Sequence, residues 1–159
     1  MSFVRLRGKT KLMYFKKLDT TNALRDGGLV QLDDSANLEA PRNDSTDRVI
    51  GVCRQNVTIT DSTQLQIPVE VPVENAVEWL IDVDSDGGAA DSDVGRYCAV
   101  DTTGGGSVLA GDSAGMRVDI SDTAIRQIYL TGRVSATKVV GVIARSAFMG
   151  GLGQDTTGA

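Results

Sequence analysis

The sequence predicts an all-β fold, a compact antiparallel β-barrel or sandwich with an extended basic N-terminal arm. Apolar residues recur at every second position in its clearest segments, which is the period of a strand with one dry and one wet face. Eighteen glycines against three prolines provide turns between many short strands. Hydrophobic residues make up 41% of the chain but aromatics only 4%, so the core is aliphatic. A chain of 159 residues predicts one domain that buries roughly two-thirds of its unfolded surface.

Taken in order, residues 1–26 read as the extended arm, 27–148 as a single β domain and 149–159 as a flexible tail. In the arm, Val4, Leu6 and Gly8 interleave with Arg5, Arg7 and Lys9, a pattern suited to adding a strand to another protein's sheet edge. "GGLVQLDD" reads as a strand entering a turn, and "RVIGVCRQNVTIT" as a second strand pair. In "LQIPVEVPVENAVEWLIDV", Leu65, Ile67, Val69, Val71 and Val73 alternate, and the phase resumes at Val77, Trp79, Ile81 and Val83. Pro68 and Pro72 fall on the polar side, where their missing N–H groups predict an edge strand or an irregular one. Trp79, the single tryptophan, reads as a core anchor. Further on, "GMRVDIS" alternates, "IRQIYLTGRV" fits a strand or a short helix, and "KVVGVIARSAF", apolar on both faces, predicts a buried strand. "RVIGVCR" and "KVVGVIAR" echo one another around Gly51 and Gly141, which predict bulges at the corners of a small barrel.

Net charge is −5 and unevenly spread. Residues 1–17 carry six basic groups and no acidic one, leaving ten basic against 21 acidic groups in the other 142 residues. A cationic arm on an acidic body predicts that the arm reaches an acidic surface. Nucleic acid is the poorer partner, because phosphate repels the body and few aromatics stand near the cations. A solvated tail is the other reading of the arm.

The chain has no histidine, which removes the commonest general base and the commonest metal ligand together. Serine and cysteine nucleophiles lose their usual activator. Cys53 and Cys98, each in a strand-like segment, read as half-buried thiols, with a disulfide as the lesser reading, and two cysteines without histidine do not make a zinc site. No apolar run approaches membrane-spanning length and the start lacks a signal peptide's apolar centre, so the expectation is a chain made in the cytosol without a membrane partner.

"DVDSDGGAADSD", residues 82–93, matches the opening of a calcium loop: Asp82, Asp84 and Asp86 at the first three ligand positions and a glycine at the sixth. Position 12 is Asp93, a poorer bidentate ligand than glutamate, position 8 is Ala89, and both flanks read as strands rather than helices. The expectation is a solvated acidic connection, with calcium at Asp82, Asp84, Asp86 and Asp93 as a weak alternative. A carboxylate-pair glycosidase lacks the apolar wall that would raise one of the two acids.

The stretches "GGLVQLDDSANLEAPRNDSTDRVIGV" (27–52), "DVGRYCAVDTTGGGSVLAGDSAGMRVDI" (93–120) and "KVVGVIARS" (138–146) carry a resemblance. Their cadence of glycine, alternating hydrophobics, aspartate, small-residue turn and hydrophobic-Gly-Val is similar to that of the head decoration, or cement, proteins of tailed bacteriophages, of the small β-barrel or β-tulip type. The resemblance implies a non-enzymatic virion protein on the outer capsid surface. It implies a homotrimer that clamps neighbouring major capsid protein subunits, with no cofactor and no direct contact with nucleic acid. It gives Val4, Arg5, Leu6, Arg7, Lys9, Lys11, Lys16 and Lys17 the role of a capsid-contact arm. Two other classes stay open at this point. A receptor- or carbohydrate-binding module of a head fibre would present Trp79, Tyr97 or Tyr129 on an exposed face. A carboxylate-only hydrolase would bring two acids together in a cleft.

Overall fold

A computed structural model describes residues 3–16, 24–32, 36–39, 49–57, 66–74, 77–83, 88–101, 117–121, 123 and 126–144, and it is all-β. One antiparallel sheet has six strands in the order β1 (Phe3–Arg7), β7 (Glu78–Asp82), β11 (Lys138–Ile143), β10 (Ile128–Ser135), β8 (Tyr97–Asp101) and β9 (Arg117–Asp119). The other has five, in the order β2 (Thr10–Phe15), β6 (Ile67–Pro72), β5 (Val49–Cys53), β3 (Leu29–Leu32) and β4 (Leu38–Glu39). The two sheets are compatible with a sandwich, and among the described residues no ladder closes them into a barrel. Single bridges, Val83 to Val118 and Lys16 to Asn37, bring the ends of each sheet toward one another without a continuing ladder.

Period-two alternation places one face of β6, β7 and β11 in the core. Trp79 and Ile81 of β7, Val139 of β11, Ile128 and Leu130 of β10 and Val100 of β8 meet Leu29, Val49 and Val52 from the second sheet. The opposite face of the five-stranded sheet covers a second core of Leu24, Val30, Leu38, Ile50, Cys53, Val57, Ile67 and Val69. β5 therefore lies between two apolar layers, and all five of its residues are buried. A bulge makes this possible: Val30 pairs with Gly51 and Gln31 with Val49, so Ile50 has no partner across the strand. The extra residue breaks strict alternation and lets Val49 and Val52 share one face.

The predicted bulges do adjoin both echo glycines, for a steric reason. A Cβ on Gly51 would stand 2.4 Å from the Glu70 carbonyl oxygen, and one on Gly141 would stand 2.8 Å from Ile128 Cγ2. Beside Gly141 the unpaired residue is Thr131 of β10. The echo does not extend to topology: β3 pairs directly with β5, whereas β10 separates β8 from β11. β11 departs from the expected two-sided burial, since Val140 and Val142 on its outer side are only half-buried.

Two further expectations are corrected. β6 is not an edge strand: it pairs with β2 over its whole length. Val73 N–H donates to Lys9 and Arg54 N–H donates to the Pro68 carbonyl, so the proline positions direct their backbone toward β5. There the paired register covers only Val69 and Glu70, and Pro68 and Pro72 bracket it. Residues 3–15 do not stand apart as an arm. β1 is an edge of one sheet and β2 an edge of the other, because each finds a complementary strand, β7 and β6 respectively. Phe3 is fully buried in the first core, which contributes about 2–3 kcal/mol. The tail at 149–159 lies outside the described residues.

Candidate functional site

The cationic N-terminal stretch meets its acidic surface within its own chain. Gly8, at φ 98°, turns the chain from β1 into β2. This brings both strands against the segment that runs from β6 into β7, where Glu70, Glu74 and Glu78 follow one another at four-residue intervals. Arg7 pairs with Glu78, and the Lys9 backbone N–H donates to Glu74 at 2.8 Å. Glu70 takes the most. Arg5 Nε lies 2.7 Å from its Oε1, Thr10 Oγ1 donates to the same oxygen at 2.8 Å, and Arg54 Nε and a terminal guanidinium nitrogen reach Oε2 at 2.7 and 2.5 Å. Arg54 also donates to the Phe3 carbonyl at 3.2 Å, and its guanidinium carbon lies 5.8 Å from the Trp79 ring centroid.

Burial alone would push the Glu70 carboxyl up. The hydrogen bonds from Arg54 and Thr10 and the charges of Arg54 and Arg5 outweigh it and hold the group below its ordinary value. Glu70 is therefore a carboxylate that ties β1, β2 and the end of β5 to β6. The sequence holds a signal for this cluster: three glutamates at constant spacing in "EVPVENAVE" face cations spaced two apart at Arg5, Arg7 and Lys9. Hydrophobic periodicity does not reveal this match, because it says nothing about which distant strand lies alongside.

The expected contact residues divide into two groups. Arg5 and Arg7 are engaged with glutamates, and Val4 and Leu6 are exposed on β1. Lys9, Lys11 and Lys16 are exposed along β2, with no carboxylate partner among the described residues. Lys17 lies outside those residues. Between these lysines stand Leu12, Met13 and Tyr14, which are 48%, 39% and 60% exposed. Thr10, Leu12 and Tyr14 lie opposite Pro72, Glu70 and Pro68 in non-hydrogen-bonded pairs, so their backbone groups point away from β6. Among the described residues, no strand pairs with that outer side until Leu38 N–H meets the Lys16 carbonyl at 2.8 Å. The result is a short, open, cationic and apolar strand edge.

The other candidates are placed as follows. Asp82 lies in β7 and pairs with Lys138 at 2.5 Å, and Asp93 accepts the Ala90 N–H at 2.8 Å. Asp84 and Asp86 lie outside the described residues, among which no three acids or thiols cluster at metal-binding distance. Ala89 is buried, and Arg133 donates to its carbonyl at 2.7 Å, which fixes this end of the loop to β10. Trp79 is fully buried. Tyr97 and Tyr129 are half-buried, tilted at 59° to one another, with Arg126 over Tyr97, so these three aromatics do not offer a flat stacking face. Cys53 and Cys98 are buried free thiols, and burial pushes the Cys53 thiol up to about 11, far from a reactive thiolate. A shallow groove of about 360 Å³ lined by Leu6, Arg7, Glu78, Thr131, Gly132 and Val140 contains one charged pair, Arg7 and Glu78, already matched to each other.

No protein-family model matches the chain, and neither a curated protein nor a solved structure shows significant similarity to it.

Proposed function

We propose that the protein is a non-enzymatic decoration protein of a tailed-bacteriophage head, binding the outer capsid surface as a trimer and clamping neighbouring major capsid protein subunits. The supporting observation is the open edge of β2, where exposed Leu12, Met13 and Tyr14 stand between the cations Lys9 and Lys11 on one side and Lys16 on the other, on an otherwise acidic chain. An edge of this kind accepts an extended acidic segment by strand addition: backbone groups supply affinity, and the flanking side chains supply selectivity. Weak contacts of this size hold a shell together because each is repeated over a symmetric lattice and linked through the oligomer.

The test uses expanded, undecorated heads of the phage that encodes the protein. Wild-type chain is compared with a Lys9→Glu, Lys11→Glu, Lys16→Glu variant, which leaves Phe3 and the Glu70 cluster intact. Saturable co-sedimentation and greater heat resistance of the heads are expected for wild type, with binding weakened at least about tenfold by the reversal. Wild-type protein that fails to sediment with heads at any ionic strength would end the proposal.

A further inference from the structure

The N-terminal strands carry a second consequence, independent of any capsid. Of the eleven residues in β1 and β2, Phe3 alone is fully buried; the others are half-buried or exposed. Both strands are edges, each held along one side by a single neighbour. What fastens them is largely polar: Arg5 and Thr10 on Glu70, the Lys9 N–H on Glu74, Arg7 on Glu78, and the Phe3 backbone between Gly27 and Arg54. The seat for these strands is built wholly from other parts of the chain, on β6, β7 and the end of β5. Apart from Phe3, the first core is made of residues outside the segment, Trp79, Ile81 and Leu130 among them. The chain is next anchored at Leu24, which exchanges both backbone hydrogen bonds with Val57. Seven residues connect Lys16 to Leu24, enough to reach roughly 25 Å when extended.

A terminal element with these properties can be replaced by the identical element of a second copy, with every contact preserved. We infer that β1 and β2 exchange between copies of this chain: residues 3–15 of one copy occupy the seat formed by β6, β7, Glu70, Glu74 and Glu78 of another. The occupant is fixed by complementarity already present within one chain, three carboxylates matched to the cations and backbone of the segment. Protonating Glu70 loosens the polar fastening, and a high local concentration of copies favours the exchanged form over the closed one. Exchange links neighbours without any new contact surface.

The register supplies a direct test. Tyr14 lies opposite Pro68, and Thr10 opposite Pro72, in non-hydrogen-bonded pairs, where Cα atoms are about 4.5 Å apart and a disulfide can close. Tyr14→Cys chains and mass-tagged Pro68→Cys chains are mixed at high concentration. They are then held near pH 3, returned to neutral pH, oxidised and run on a non-reducing gel. A mixed disulfide between the two chains is expected, at least about tenfold above that from Val134→Cys, in β10, mixed with the same Pro68→Cys chain. Chains without new cysteines report any background from Cys53 and Cys98. The Thr10→Cys and Pro72→Cys pair repeats the test if Pro68→Cys does not fold. The double variant Tyr14→Cys, Pro68→Cys in one chain shows that the geometry closes a bond. If that bond closes within one chain while mixed chains give no more than the Val134→Cys background, exchange does not occur. Because heads are absent from this assay, its failure leaves the capsid reading untouched, and failure of head binding leaves exchange untouched.

Discussion

Replacing Glu70 by glutamine keeps the side chain's size and removes its charge. The loss can be worked from its partners. Arg54, 21% exposed, makes charge-assisted hydrogen bonds of 2.7 and 2.5 Å, and such bonds contribute about 1.5–3 kcal/mol. Thr10 adds a neutral donor worth about 1 kcal/mol. Arg5 is 46% exposed, so solvent screening leaves its pair about 0.5 kcal/mol. These contributions come to about 3–4.5 kcal/mol; the amide keeps one acceptor oxygen and so retains part of them, while turning a donor toward a guanidinium, and a total cost of about 2–4 kcal/mol is expected. Urea unfolding at pH 7 measures it, through the midpoint at unchanged slope. The pH dependence checks the cause. A carboxylate held below its ordinary value contributes stability that is present above the unfolded value, near 4.3, and is lost as pH falls through the lower folded value. The gap between wild type and Glu70→Gln should therefore close in acid below about pH 4. A variant within about 0.5 kcal/mol of wild type at pH 7 would refute the assignment of Glu70 as the tie between β1, β2 and β6.

Two glycines give opposite expectations for the same change. Gly51→Ala drives a methyl to 2.4 Å from the Glu70 carbonyl and should cost about 3 kcal/mol or more, whereas Gly132→Ala meets only Val140 side-chain atoms at 3.6 Å and should stay within about 0.5 kcal/mol; thermal melts of the pair decide it. Cys53 should confer alkaline sensitivity. Burial holds the folded thiol near 11, so its stabilising effect is complete below the ordinary thiol value of 9.0 and is lost as pH rises toward 11. By pH 10 wild type should have lost about 1.4 kcal/mol relative to Cys53→Ala, and parallel urea midpoints between pH 8 and 10 would contradict it.

Strand identity was legible wherever one face of a strand is dry. The alternation through Ile67, Val69, Trp79 and Ile81 locates β6 and β7, and "RVIGVCR" locates β5, but the two-sided burial expected of "KVVGVIARSAF" belongs instead to β5. Partnership was not legible. Pro68 and Pro72 correctly signal a side of β6 with poor pairing, yet a strand has two sides, and β2 occupies the other. Of the cations in residues 1–17, Arg5 and Arg7 meet acidic partners, yet nothing local shows that Glu70 and Glu78 supply them from far along the chain. Ile50 as the bulged residue was equally hidden, because a bulge is a relation between two strands and Val49–Cys53 alone reads as uniformly apolar. The attachment of β1 and β2 to the body was hidden for the same reason, because it depends on β7 and β6, which lie far along the chain.

The same long separation sets an order of events during synthesis. Residues 3–15 leave the ribosome well before the strands that receive them. At about 5–20 residues per second, the 60 to 71 residues between Thr10 or Arg7 and their glutamate partners take roughly 3–14 s to make. Throughout that interval the six N-terminal cations have no carboxylate seat of their own, while the emerging polymer carries them past a polyanionic machine. The late arrival of β6 and β7 therefore acts as a timer. It decides when Arg5 and Arg7 pass from free cations to partners of Glu70 and Glu78, while the lysines beside β2 stay exposed.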